Sequence, residues 1–261
     1  MTERPTRDLH EPYPGAWLVA PWPLVCEISE TLPRYSWTLV GGLMVQAHAH
    51  LQGIPASRAT DDVDTVLHLE TGMTTFSEVN GLLRNRGFTL EDSHKHAYRF
   101  TRHSDEVDVM IADRAAATRQ PSFLRRPLFG VPGGTRALSQ TANVVLRNQD
   151  GSEAGSFSLP SVQGALVLKG AAQLVDTRDQ DRHTEDGIVL LACVSDVDEI
   201  RAGLSLRSRR RIRALLRAIA RKREAWFAQD PETQARARAN LSAMESAFDI
   251  TGTDTSWHQR E

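Results

Sequence analysis

Two aspartates one residue apart carry the clearest chemistry in this chain. The segment Arg58-Ala59-Thr60-Asp61-Asp62-Val63-Asp64 runs into the apolar stretch Thr65-Val66-Leu67-His68-Leu69, and residues 63–69 read as a strand. Residues i and i+2 of a strand share a face, so Asp62 and Asp64 stand side by side while Asp61 faces the other way. Adjacent carboxylates repel unless a proton or a cation lies between them. A hard divalent ion with oxygen ligands, Mg²⁺ most simply or else Mn²⁺, relieves the repulsion. About twenty residues upstream, the short apolar strand 37–40 meets Gly41-Gly42, and a helix follows over 43–51. Glycine lets backbone approach a phosphate, and the N–H groups of a helix start can bond its oxygens. A phosphate cradle beside metal-binding carboxylates points to nucleotide chemistry, with a nucleoside triphosphate as substrate.

This arrangement resembles the polymerase-beta-like nucleotidyltransferase superfamily, which pairs a Gly-Gly or Gly-Ser turn with Asp-x-Asp or Asp-x-Glu. Within it, Gly41-Gly42 with Arg58-x-Thr60-x-Asp62-Val63-Asp64 is similar to the AbiEii-type, or MenT-like, nucleotidyltransferase toxins. The likeness is specific over residues 36–69, looser to about residue 193, and absent beyond. It implies a third carboxylate on a neighbouring strand. Asp108, in the apolar run Val107-Asp108-Val109-Met110-Ile111, fits that role, because a lone charge there is costly without a partner; Glu106 on the same face is the fallback. Arg58 would contact triphosphate or buttress the loop, and Thr60 would hold the loop by a side-chain bond to backbone.

Lys169 is the second signal, since it interrupts the apolar helical stretch Ala165-Leu166-Val167-Leu168 with a charge. Downstream, Asp186 lies near the start of another apolar helix. The pair resembles the toxin family's second motif, a lysine on one helix and an aspartate opening the next, which usually reads Lys-Asp-x-x-Asp with the second aspartate functional. Here His183 stands where the first aspartate is expected, so Asp186 alone is carried over. The resemblance implies that Lys169 binds triphosphate and Asp186 orients it; the structural alternative is an ion pair tying two helices together. His48 with His50, and His94 with His96, lack a carboxylate cluster at metal spacing and read as structural or exposed.

The chain has 261 residues, enough for one large core or two modest domains. Its net charge of −2 hides an asymmetry: Arg201 to Arg223 holds only basic charges. On a helix such a block is either a phosphate footprint or a solvated face. No apolar stretch approaches the roughly eighteen residues of a membrane span, and the charged start lacks a leader's apolar core, so a cytoplasmic protein is expected. Cys26 and Cys193 read as buried free thiols, with a disulfide between them left open.

These residues need a frame. An irregular arm is expected over residues 1–20, then helices at 23–32 and 74–86 and strands at 98–101 and 107–111. A long Pro- and Arg-rich loop follows over 114–141, with Arg119, Arg125, Arg126 and Arg136, and then strands at 143–147 and 156–159. Ser161 opens a helix over 162–175, Thr184 starts another to Cys193, Ser195 caps a third, a basic helix covers 205–227, and Asp230-Pro231 opens the last. The expected fold is α+β: a nucleotidyltransferase mixed sheet with flanking helices over 1–160, a helical domain over 161–250, and a disordered tail at 251–261. The resemblance implies a toxin that moves a nucleoside monophosphate to the tRNA 3′ end and is held by a cognate antitoxin. An aminoglycoside-type enzyme and a non-catalytic binding module are the alternatives.

Overall fold

The computed structural model describes residues 4–55, 60–113 and 121–250. Arg58, Arg119 and the tail at 251–261 lie outside the described residues. The chain is a mixed α/β protein of two compact units, Met1–Met44 with Ala59–Ser161, and Val45–Arg58 with Val162–Glu261.

The first unit is built on a nine-stranded mixed sheet. Its strands are β1 (Thr6–His10), β2 (Trp37–Leu39), β3 (Asp62–Leu67), β4 (Thr89–Leu90), β5 (Arg99–Arg102) and β6 (Asp105–Ala112). The two-residue strands β7 (Ser122–Phe123) and β8 (Arg126–Pro127) pair only with each other. After them come β9 (Gly130–Val131), β10 (Thr141–Arg147) and β11 (Glu153–Pro160). The order across the sheet is β1-β10-β11-β2-β3-β6-β5-β4, with β9 also on β6. β2 and β3 are central strands, and Trp37, Leu39, Val63, Val66 and Leu67 are all essentially buried. Helices α1 (Trp22–Thr31), α2 (Gly41–Leu51), α3 (Phe76–Asn85) and α4 (Gly134–Ser139) complete this part of the chain, α2 passing into the second unit from Val45 onwards. Thr75 and Glu78 form a reciprocal capping box that fixes the start of α3.

The second unit, where described, is helical: α5 (Val162–Val175), α6 (Gln180–Ala192), α7 (Val197–Arg201), α8 (Leu206–Arg221), α9 (Arg223–Phe227) and α10 (Pro231–Ala247). Leu166, Ile188, Leu190, Leu215, Leu216, Ile219 and Trp226 fill its core. A Cβ at Gly170 would come within 2.5 Å of the Arg211 carbonyl carbon, so α5 and α8 touch at backbone level there.

Several expectations are corrected. The N-terminal arm is irregular only in part: Thr6–His10 pairs in parallel with Asn143 through Arg147, while residues 12–15 are bends and turns. Only Leu9 of that strand is buried, so its pairing leaves no apolar period to read. The stretch expected as one long loop contains β7, β8, β9 and α4. α6 begins at Gln180 after Asp179, and Thr184 is a buried residue inside it. Asp196, not Ser195, caps α7 through the Asp198 N–H. The basic helix is two helices, broken at Lys222, whose ψ of 87° leaves the helical region. Cys26 is half-buried rather than buried, Cys193 is buried, and both are free thiols.

Candidate functional site

β3 and β6 run parallel and in register, with Asp62 opposite Glu106 and Asp64 opposite Asp108. Partners in such a ladder share a face, so four carboxylates gather on one patch of the sheet. The intervening Val63, Thr65, Val107 and Val109 point the other way into the core and are fully buried. This alternation fixes the acidic face: a one-residue slip would bury the aspartates.

Gly41 stands at the head of α2 with φ of +69°, a left-handed backbone that favours glycine. A Cβ there would come within 2.6 Å of the Asp64 carboxyl carbon. The Asp64 carboxylate therefore rests against the start of α2, where the helix dipole favours a negative charge. The strand-to-helix corner is closed by the Val40 N–H donating to the Asp64 carbonyl at 2.9 Å. Gly42 is buried in the first turn. Thr60 donates through Oγ1 to Asp62 Oδ1 at 2.7 Å, a bond to side chain rather than the expected bond to backbone.

The residue that sequence reasoning missed is Arg99. It lies opposite Asp108 in the β5–β6 ladder and grips it with a two-point fork, Nε to Oδ1 at 2.9 Å and Nη2 to Oδ2 at 2.8 Å. Nη2 also reaches Glu106 Oε1 at 2.7 Å. Burial raises the pKa of Asp108 above the usual carboxylate value, with Arg99 opposing and Asp62 reinforcing the rise. Glu106 is raised by the same balance.

Among the described residues, no group of three or more His, Cys, Asp or Glu is arranged to hold a metal ion. Arg99 engages Asp108 and Glu106, and Asp62 and Asp64 are the two carboxylates of this face that it does not bond. Two carboxylates suit an Mg²⁺ that keeps several waters and takes its remaining ligands from substrate phosphates, rather than one held in an all-protein cage.

In the second unit Lys169 Nζ lies 2.6 Å from Asp186 Oδ2, and both side chains are less than a tenth exposed. His183 sits beside this pair with neither ring nitrogen hydrogen-bonded; Asp176 Oδ2 is 3.5 Å from Nε2. Burial, then Lys169, lowers its pKa and favours the neutral ring. On α8, Arg207, Arg210, Arg217 and Arg221 are exposed. At 100° per residue they fall on one helix face.

No family model, curated protein or solved structure matches this chain. No helix among the described residues is long and apolar enough to cross a membrane.

Proposed function

We propose that this chain is an Mg²⁺-dependent nucleotidyltransferase that moves a nucleoside monophosphate from a nucleoside triphosphate to an acceptor hydroxyl. The observation that carries the reading is the in-register meeting of Asp62 and Asp64 with Glu106 and Asp108 beside the glycine-headed helix α2. Asp62 and Asp64 would hold the Mg²⁺, which neutralises charge on the triphosphate when bound. The Gly41-Gly42 start of α2 would offer backbone N–H groups to phosphate oxygens beside the Asp64 carboxylate that rests against it. Thr60 holds Asp62 in place. Asp108 is made more basic by burial, and each of its oxygens keeps a second acceptor site beyond its bond to Arg99, so it would take the proton of the attacking hydroxyl there. Lys169 and Asp186 neutralise each other and tie α5 to α6.

The family resemblance extends the proposal to the tRNA 3′ end as acceptor and to the toxin of a toxin–antitoxin pair. The exposed arginines of α8 support an RNA acceptor over a cationic aminoglycoside. The test is transfer from labelled nucleoside triphosphates to tRNA, with Mg²⁺ or EDTA, for wild type, Asp62→Asn and Asp64→Asn. Loss of transfer in EDTA and in both variants supports the reading; full transfer in any of the three overturns it. Labelling of an aminoglycoside but of no RNA would replace the acceptor.

A further inference from the structure

Four carboxylates share one face of β3 and β6, and among the described residues Arg99 is the cation seen to bond two of them, Asp108 and Glu106. Arg99 occupies both oxygens of Asp108 and one of Glu106, and its pKa is raised further by these bonds, so it stays charged. Its position is set by two ladders at once: Asp64 opposite Asp108 on β6, and Asp108 opposite Arg99 on β5. The row Asp64, Asp108, Arg99 thus crosses three neighbouring strands, with carboxylates at one end and a guanidinium at the other. The Nε and Nη2 donors are engaged, while Nη1 has no hydrogen-bond partner among the described residues, and the side chain is about a quarter exposed. An ion entering beside Asp108 would meet this fixed positive charge.

We propose that Arg99 takes the place of a second metal ion, so that the site holds a single divalent cation at Asp62 and Asp64. The guanidinium neutralises Asp108 and Glu106 and offers its Nη1 edge to an anionic substrate group. This inference rests on the proposed metal-dependent reading of the same face and specifies how many ions that face takes.

Mn²⁺ titration followed by electron paramagnetic resonance counts bound ions directly, without turnover. One Mn²⁺ per wild-type chain is expected, lost in Asp64→Asn, with a second site in Arg99→Gln. Two ions in wild type, or one in both wild type and Arg99→Gln, would overturn the inference while leaving a metal site in place. No ion removable by Asp64→Asn would sink the metal-dependent reading itself. If circular dichroism shows Arg99→Gln unfolded, Arg99→Lys replaces it: it keeps the charge without the fork, so one ion supports the role of charge and two ions refute it.

Discussion

Lys169 and Asp186 form an ion pair of 2.6 Å between α5 and α6, with both side chains almost shut off from water. Removing one partner of a buried pair takes from the remaining charge its near counter-charge, which typically costs about 3–5 kcal/mol. Lys169→Met should therefore lower stability by that amount although methionine suits the apolar helix around it. The double variant Lys169→Met/Asp186→Leu should recover most of the loss. Urea midpoints at unchanged m-value check both; a single variant as stable as wild type would return Lys169 to the role of triphosphate ligand.

The contact between Gly41 and Asp64 makes a different prediction. Gly41→Ala needs a left-handed alanine, and its Cβ needs the space held by the Asp64 carboxyl group. The backbone cost is about 1–2 kcal/mol, and displacing the carboxylate adds to it. Nucleotide transfer should fall by about a hundredfold or more, since about 1 Å of misplacement costs that much. A chain with wild-type transfer rates would show that Asp64 does not need this position.

Much of this site was legible because the signals were local. The alternation around Asp62 and Asp64 needs only a period of two, and Gly41-Gly42 marks the end of an apolar strand. The in-register meeting of β3 and β6 is a long-range pairing that no local period encodes, so Asp108 could be named but not placed. Arg99 has a local signal of its own: Arg99 with Asp108, and Arg102 with Asp105, lie symmetrically about His103 and Ser104. Opposite charges mirrored about a two-residue turn are the signature of cross-strand pairs in a hairpin. β1 left no such trace, because a polar edge strand with one buried residue reads as coil. The early start of α6 was hidden by its polar first turn, Gln180 to His183, which lacks an apolar period.

His68 gives the pH prediction. It is 1% exposed; its Nδ1 lies 3.1 Å from Arg4 Nη2 and its Nε2 lies 2.6 Å from Thr38 Oγ1. Arginine only donates, so Nδ1 accepts and Nε2 carries the proton. Burial first, and Arg4 second, push the pKa down from 6.5 to about 4. The folded chain keeps the ring neutral where the unfolded chain takes up a proton. Stability from this residue is thus complete above pH 6.5 and lost as pH falls towards 4, by up to about 3 kcal/mol. Denaturation curves at pH 7 and pH 4.5 should differ less for His68→Gln than for wild type; equal differences would refute the assignment.

Arg207, Arg210, Arg217 and Arg221 share one exposed face of α8 and form no ion pair among the described residues. The stripe extends about 21 Å at 1.5 Å per residue, long enough to meet several phosphates of one nucleic acid. Each phosphate contact releases counterions and adds about 0.7–0.9 to the slope of log affinity against log salt. Changing Arg207, Arg210 and Arg217 together to alanine should flatten that slope for tRNA by about two to three. The substituted positions face solvent, so each should alter stability by less than about 0.5 kcal/mol. Fluorescence anisotropy across a salt series, beside a thermal melt, separates these effects. An unchanged slope in a variant that melts like wild type would make the stripe a solvated face and take the acceptor RNA elsewhere on the molecule.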